Sequence, residues 1–225
     1  MAIEEKVGTQ GGDVIDSSAT IYLGLGSNLG DRERNLHQAT RRIESLQIGS
    51  EGFAISRTSA IYESEPVGYS DQPWFLNQVV EVKLKPDLID NGANDSRRAQ
   101  ARRQHVVRPA LRASELLEAL LEIEHTMGRV RAIRDGPRLI DIDILVCGDL
   151  VGVWPRDGSP ANVERNFLIL PHPRMPLRRF VLEPLCELAP DLIHPTLGKP
   201  MRELLGALGE SQAVRRFVGE DNSPP

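Results

Sequence analysis

Apolar residues recur along the chain at two spacings, one typical of strands and one typical of helices. The stretch "TIYLGL", which begins at Thr20, alternates as a strand does, and residues 31–46 have the spacing of a helix that Asp31 can cap. The apolar stripe of that helix consists of Leu36, Ala39, Ile43 and Leu46. A second strand is expected around Phe53 to Tyr62, and the alternation in "WFLNQVVEVKL" predicts a third.

One more helix and one more strand follow a polar stretch. The segment "SELLEALLEIEHTMG" has helical spacing, with Ser114 as the expected N-cap and Gly128 as the expected end. A fourth strand lies in "GPRLIDIDILVCGDL", which begins at Gly136. The order β, α, β, β, α, β is typical of a ferredoxin-like sandwich of the mixed α/β (α+β) class, with helices packed on an antiparallel sheet. In that fold the first and fourth strands are neighbours, and additional elements follow here at the C-terminal end.

The fourth strand raises a question of charge. At a two-residue period it places Ile140, Ile142, Ile144 and Val146 on one face and Leu139, Asp141, Asp143, Leu145 and Cys147 on the other. Both faces are mainly apolar. Burying two like charges side by side costs on the order of several kcal/mol unless a nearby positive charge compensates them. We expect divalent cations, delivered with a triphosphate, to supply that charge, because carboxylates two apart on a strand can converge on Mg²⁺. A strand with two solvated acids is the alternative.

Composition limits the number of domains that the chain can form and the class of partner that it can bind. A chain of 225 residues, 40% of them hydrophobic, is long enough for one sizeable core, so we expect one domain over 20–210 with a basic insertion at 86–112. Residues 1–19 and the end "GEDNSPP", residues 219–225, have few apolar groups and are predicted to be disordered. Residues 211–225 as a whole are expected to form a C-terminal tail outside the domain. The net charge of −5 argues against a surface built for nucleic acid. The insertion is expected to be a solvated loop, with a binding arm as the alternative.

The chain shows neither a leader segment nor an apolar run of membrane length, so we expect a cytosolic protein without a membrane partner. We also expect a monomer without a nucleic-acid partner. Cys147 and Cys186 are far apart and lie in apolar stretches. They have neither the spacing of zinc ligands nor that of a disulfide framework, and are predicted to be buried thiols.

An arginine-rich segment precedes the acid pair. Within "GRVRAIRDGPR" four arginines fall in ten residues, namely Arg129, Arg131, Arg134 and Arg138. Guanidinium groups match phosphate oxygens in pairs, so this segment beside a magnesium-binding acid pair predicts a clamp for a nucleoside triphosphate. An ordinary solvated loop is the alternative for the segment taken alone.

Other stretches supply rings and hydrogen-bonding groups. Phe75 and Asn77 share one face of the third strand, where a ring beside an amide can stack on a flat heterocycle and bond its edge, although core packing explains Phe75 equally well. The turn "GLGSNLGD" lacks the third glycine of a dinucleotide fingerprint, since Leu29 occupies that place, and no P-loop occurs. The run "LPHPRMPLRRFVLEPL" adds His172, Arg178 and Phe180.

Four stretches, in order, resemble one known family. They are "YLGLGSNLGDRERNL", "SAIYESEPVGYSDQPWFLNQVVEV", "IEHTMGRVRAIRDGPRLIDIDIL" and "LPHPRMPLRRFVLEPLCELAPDLIHP". They are similar to 6-hydroxymethyl-7,8-dihydropterin pyrophosphokinase of folate biosynthesis, also called 2-amino-4-hydroxy-6-hydroxymethyldihydropteridine diphosphokinase, over roughly residues 20–205. The most specific part is the pattern R-x-G-P-R-x-x-D-[LIV]-D, here Arg134 to Asp143.

This resemblance implies a reaction and a set of residues. The reaction is transfer of the intact diphosphate of ATP to the hydroxymethyl oxygen of the pterin, with release of AMP. Two Mg²⁺ ions held by Asp141 and Asp143 would assist it, and Arg129 and Arg138 complete the implied catalytic set. The implied ATP contacts are Glu124, Arg129, Arg131, Arg134, Arg138, His172 and Arg178. The implied pterin contacts are Asn28, Ser64, Val67, Phe75, Asn77 and Phe180.

The resemblance also implies loops that close over substrate, at 28–31, 63–74 and 129–137. Three positions depart from the family pattern. Phe75 replaces a ring that is often Tyr. Asp135 stands where some relatives have an aromatic residue, and Glu65 stands where proline is frequent. The insertion at 86–112 and an enlarged segment at 152–165 have no counterpart in compact family members.

Two other functions share some of these features. An RNA-recognition module has the same order of elements, but its aromatic strand motif is absent and aromatic residues make up only 4% of the chain. A magnesium-dependent phosphohydrolase could use the same acid pair on water. The ring and amide at Phe75 and Asn77 favour an organic acceptor over water.

Overall fold

The computed structural model describes residues 12–85, 111–129, 135–155, 167–209 and 212–219. The first half contains β1 (Thr20–Ser27), α1 (Arg32–Glu44), β2 (Gln47–Ile48), β3 (Glu51–Thr58), β4 (Tyr62–Ser64) and β5 (Phe75–Lys85). The second half contains α2 (Ala113–Thr126), β6 (Asp141–Cys147), β7 (Gly152–Pro155), β8 (Phe167–Leu170), a 3₁₀ turn (Met175–Leu177), α3 (Arg179–Leu188), α4 (Met201–Ala207) and β9 (Val214–Arg216). No helix in these ranges is both long and apolar enough to cross a membrane.

The main sheet is antiparallel and has the strand order β2-β3-β5-β1-β6. Strand β4 also pairs with β5, and β9 pairs with β4, whereas β7 and β8 form a separate ladder. The order of the four long strands, with β6 beside β1, is that of the ferredoxin-like fold, so the predicted fold class is confirmed. Gly24 lies opposite Asp143, and Gly26 lies opposite Asp141. The predicted pairing of the first and fourth strands is therefore present, and it places these glycines beside the acid pair.

The two faces of the sheet are covered differently. Helices α1 and α2 pack on one face and bury apolar side chains such as Leu36 and Leu120, each contributing about 1.5–3 kcal/mol through removal from water. Helices α3 and α4 pack on the other face, over Tyr22 and Val79. A pocket remains beside α3 on this second face, above Gly24 and its neighbours. The fold thus leaves part of one sheet face for a ligand.

Strand β6 contains a bulge that corrects the predicted faces. Tyr22 pairs with Val146 and Leu23 pairs with Ile144, so Leu145 is an extra residue. The extra residue shifts the alternation by one position. Cys147 therefore packs in the core beneath α1 and α2, and Val146 packs with α3, so the faces predicted for these two residues are wrong. The shared face of Asp141 and Asp143, which precede the bulge, is unaffected.

The predicted N-cap is present in α1 but not at the start of α2. In α1 the backbone N–H of Arg34 donates to the Asp31 carboxylate at 3.0 Å, as an N-cap requires. Helix α2 begins one residue before Ser114, so the predicted cap at Ser114 is wrong. The carboxylate of Asp13 instead accepts hydrogen bonds from the backbone N–H of Ser114, at 3.1 Å, and from its hydroxyl. A segment far away in sequence therefore accepts the hydrogen bonds of donors at the start of α2.

Parts of both predicted tails belong to the fold. Ile15 is buried and its backbone N–H donates to the Leu111 carbonyl at 2.8 Å, so the prediction of a disordered tail over 1–19 is wrong for its described part. Within the C-terminal tail expected at 211–225, β9 satisfies the unpaired backbone groups at the open edge of β4, so this part belongs to the domain. Residues 220–225, nearly all of the end predicted to be disordered, lie outside the described residues. Most of the insertion at 86–112 and of the segment at 152–165 lies outside the described residues.

Candidate active site

The pocket on the open sheet face is built from three neighbouring strands and the start of α3. Glycines of β1 form its floor, the beginning of β5 forms one wall, and the acids of β6 form the opposite wall. The lining side chains singled out from the sequence are Ser64, Val67, Phe75, Asn77, Arg138, Asp141, Asp143, Arg178 and Phe180. One cavity thus gathers predicted pterin, phosphate and metal contacts.

The negative charge of Asp141 is compensated by two arginines. Its Oδ1 lies 2.6 Å from Nη1 of Arg129, and its Oδ2 lies 3.4 Å from Nε of Arg138. Burial opposes ionisation, but the charges of Arg138 and Arg129 outweigh it and hold the pKa of Asp141 below its usual value. The expectation that divalent cations make this acid tolerable is therefore wrong for Asp141, because its positive charge comes from the protein itself.

Asp143 has much less compensation. Among the described Lys, Arg and His side chains only His172 comes within 4 Å, with Nε2 at 3.8 Å from the Asp143 carboxylate. Burial, and then the charge of Asp141, raise the pKa of Asp143. Burial also lowers the pKa of His172, although the Asp143 charge opposes this. The Asp143 carboxylate, 40% exposed, is thus the acid that would gain most from an added cation.

The bulge in β6 helps to place His172. The backbone N–H of His172 donates to the carbonyl of the bulged Leu145 at 2.9 Å, which fixes the histidine beside the acid pair. The peptide bond before Pro171 is cis. The hydrogen bond between His172 and Leu145 joins two segments that are not neighbours in sequence.

Arg129 joins two carboxylates where α2 leads towards β6. Its Nη1 contacts Oε1 of Glu124 as well as Asp141. Glu124 is buried and accepts a hydrogen bond from the backbone N–H of Ile142 at 2.7 Å. Burial raises the pKa of Glu124 to about 7, against the opposing charge of Arg129. Glu124 therefore positions the arginine from beneath the acid pair.

Asn28 connects the loops around the pocket. Its Nδ2 donates to Oε1 of Gln72 at 2.9 Å and to the carbonyl of Pro73 at 3.0 Å, while its Oδ1 accepts from the backbone N–H of Arg138 at 2.7 Å. Gln72 in turn donates to the carbonyl of Asp135 at 2.9 Å. Asn28 is buried and does not line the pocket, so the structure places it behind the predicted pterin contacts.

The remaining predicted pterin contacts all line the pocket. Nδ2 of Asn77 donates to the hydroxyl of Ser64 at 2.9 Å. The guanidinium of Arg138 lies over the Phe75 ring, 5.3 Å from its centroid, and that of Arg178 lies over Phe180 at 5.4 Å. Each ring at the pocket wall is therefore adjacent to an arginine.

Of the predicted ATP contacts, Glu124, Arg129, Arg138, His172 and Arg178 lie around the acid pair, whereas Arg131 and Arg134 lie outside the described residues. Sequence reasoning missed Gly24 and Gly26 as pocket floor, since it assigned the glycines to a turn. Their position inside a strand was the available signal, because glycine there often marks close approach of a ligand.

These features define a ferredoxin-like α/β protein with a pocket that combines paired acids, arginines and two aromatic rings. Residues 22–109 and 101–190 match the family model described as 7,8-dihydro-6-hydroxymethylpterin-pyrophosphokinase (HPPK). The chain belongs to this family, and the resemblance noted in the sequence is confirmed.

Relatives of similar length support this assignment. The chain is 38% identical over 167 residues to the 2-amino-4-hydroxy-6-hydroxymethyldihydropteridine pyrophosphokinase of Bacillus subtilis, covering 74% of this chain and 76% of that protein. Identity to the protein of that name from Methylorubrum extorquens is 36% over 194 residues, covering 86% and 96%.

Longer proteins match as well. The folic acid synthesis protein fol1 of Schizosaccharomyces pombe is 33% identical over 201 residues, covering 89% of this chain but only 22% of that protein, so this chain spans about a fifth of that relative. A solved HPPK-DHPS structure in complex with substrates has a TM-score of 0.56 at 13% identity, covering 85% of this chain and 43% of that chain. The latter likeness concerns the fold.

Proposed function

We propose that this protein transfers the diphosphate of ATP to the hydroxymethyl oxygen of 6-hydroxymethyl-7,8-dihydropterin, giving AMP and the pterin methyl diphosphate in folate biosynthesis. Family membership supports the reaction class. The observation that carries the proposal is that the ring-and-amide wall at Phe75 and Asn77 and the acids Asp141 and Asp143 face one cavity, with only β1 between them. Such a cavity can hold a flat acceptor and a triphosphate side by side.

The wall formed by β5 and α3 is suited to a pterin. Phe75 and Phe180 offer ring faces for stacking, and Val67 adds apolar contact. Because Nδ2 of Asn77 is committed to Ser64, Oδ1 of Asn77 is the group that accepts from ring N–H groups of the ligand. Recognition of an edge rich in N–H donors follows from this arrangement.

The opposite wall is suited to magnesium that arrives with ATP. Within the described residues no group of three or more His, Cys, Asp or Glu side chains surrounds a common point, so a full protein cage is lacking there. Mg²⁺ needs only one or two protein carboxylates and completes its shell with water and phosphate oxygens, which Asp141 and Asp143 fit. When bound, two such ions would neutralise charge on the transferring phosphates.

Arginines and loops complete the proposed mechanism. Nε of Arg138 is buried and lies 3.4 Å from Asp141, but it makes no hydrogen bond among the described residues, so its N–H is a donor for a phosphate oxygen. Arg129 holds Asp141 in position, where the acid would serve as a metal ligand, and His172, Arg178 and Glu124 border the same region. The bonds from Asn28 and Gln72 tie the loops together, so their joint closure would exclude water from the diphosphate.

The closing assay is incubation of purified protein with ATP, Mg²⁺ and 6-hydroxymethyl-7,8-dihydropterin, with chromatographic detection of products. We expect AMP and pterin diphosphate in equal amounts, lost in Asp141→Asn and Asp143→Asn and retained in Asp149→Asn, an exposed acid just after β6. ADP, or phosphate released without pterin, would refute the proposal and indicate another kinase or a hydrolase. We expect the protein to act as a cytosolic monomer on these small molecules.

A further inference from the structure

Strand β1 carries two glycines whose presence the backbone does not explain. Gly24 and Gly26 lie inside a strand, where glycine is destabilising relative to alanine, and neither has positive φ. A Cβ added at Gly26 would lie 3.5 Å from Oδ1 of Asn77 and 3.9 Å from Cδ1 of Phe75, which is ordinary contact. The protein alone could therefore accept a side chain at position 26.

The position of Gly26 in the sheet indicates which part of the pocket its lack of a side chain leaves open. Gly26 pairs with Asn77 on one side and with Asp141 on the other. Gly24 repeats this pattern between Val79 and Asp143. Because neighbouring strands lie about 4.8 Å apart, the Asn77 and Asp141 backbones are about 10 Å apart, with only Gly26 between them. All three residues line the pocket.

We infer that Gly26 is a positioning residue over which the one-carbon arm of the acceptor passes from the ring wall to the acid wall; this inference rests on the proposed function. The hydroxyl oxygen bonds the β-phosphorus of ATP while the bond from that phosphorus to the α,β-bridging oxygen breaks. AMP leaves with the electron pair, and the hydroxyl proton passes to water. A methyl group at position 26 stands in the path of the arm and displaces its oxygen from the phosphorus.

Gly24 is less free to change. A Cβ there would lie 3.2 Å from Cδ2 of Leu145, so that side chain would have to shift. A loss of activity in a Gly24 variant would therefore mix packing with ligand effects. Gly26 offers the cleaner test, because its neighbours need not move.

The test compares wild type, Gly26→Ala and the control Gly206→Ala, whose added Cβ meets nothing within 4 Å in α4. We expect Gly26→Ala to melt at or slightly above the wild-type temperature and to keep the wild-type affinity for the non-transferable analogue α,β-methylene ATP with Mg²⁺. Its kcat should fall about 100-fold, the size of effect that a 1 Å misplacement of reacting atoms produces. Gly206→Ala should retain wild-type turnover.

A second acceptor separates positioning from a structural defect. An acceptor with a 6-hydroxyethyl arm, one methylene longer, can pass around the new methyl group. We expect its kcat/KM relative to the natural acceptor to rise at least about tenfold in Gly26→Ala over wild type. Equal losses with both acceptors, or wild-type turnover in Gly26→Ala, would overturn the inference. Absence of diphosphate transfer by the wild type would instead refute the proposed function.

Discussion

The acids of β6 are two residues apart, yet we expect their removal to change the stability of the metal-free protein in opposite directions. Asp141→Asn removes the charged acceptor of Arg129, at 2.6 Å, and the charge beside Arg138. Asp143→Asn removes a charge whose nearest described basic side chain is the histidine His172, at 3.8 Å, and which the charge of Asp141 repels. One variant loses an attraction, and the other loses a repulsion.

The exposure of each side chain sets the magnitude. Hydrogen bonds to charged groups contribute about 1.5–3 kcal/mol, and the Asp141 side chain is only 22% exposed, so Asp141→Asn should lower the free energy of unfolding by about 2 kcal/mol. The Asp143 side chain is 40% exposed, so solvent screens its repulsion and Asp143→Asn should gain at most about 1 kcal/mol. These values correspond to a melting temperature lowered by about 4–8 °C and one raised by up to about 4 °C.

The assay is thermal unfolding followed by circular dichroism at neutral pH in EDTA without nucleotide. Asp149→Asn is the matched control and should stay within about 0.5 kcal/mol of wild type, as exposed surface changes do. Stabilisation by Mg²⁺ and ATP together should be lost in both active-site variants. Shifts of equal sign and size in Asp141→Asn and Asp143→Asn would refute the assignment of arginine compensation to Asp141.

Three further predictions concern Arg129, Glu124 and the ion pair of Arg57 with Glu81. Arg129→Gln frees Oδ1 of Asp141, so the nucleotide-free protein should bind Mn²⁺, a paramagnetic substitute for Mg²⁺, about tenfold more tightly in a magnetic resonance titration. Burial raises the pKa of Glu124 to about 7 from 4.5, so this group lowers stability as pH rises between those values, and Glu124→Gln should remove that part of the pH dependence in urea unfolding. Arg57→Met leaves the buried Glu81 carboxylate without its cation and should cost about 2 kcal/mol in urea unfolding, below the range for a fully buried pair because the Tyr22 hydroxyl still donates.

Arg41→Gln, at an exposed position of α1, is the control for the arginine changes. Unchanged Mn²⁺ affinity in Arg129→Gln would show that the arginine does not compete with metal. If Glu124→Gln kept the wild-type pH dependence, another group would be responsible for it. Wild-type stability in Arg57→Met would show that solvent already screens the Glu81 charge.

Several features of the fold follow from local pattern alone. The hydrophobic period predicts α1, its cap at Asp31 and the order of the long strands, because each element must bury one face and its spacing records that face. The pairing of β1 with β6 follows from that order. The common face of Asp141 and Asp143 needs only the two-residue period of a strand, which holds up to the bulge.

Other features required the tertiary structure because they depend on segments far apart in sequence. Asp13 satisfies the start of α2 at Ser114 from 101 positions away, and β9 completes the edge of β4 from the predicted C-terminal tail. The bulge at Leu145 exists only in relation to β1, and it reverses two predicted faces.

The chain by itself determined which chemical groups this protein possesses and that two acids share a strand face, because composition and period are properties of neighbouring residues. Only the folded arrangement decided that Arg129 lies against Asp141 while Asp143 lacks such a partner among the described residues. The reason is that the balance of charge depends on distances through space. Those distances are set by how β1, β6 and α2 pack.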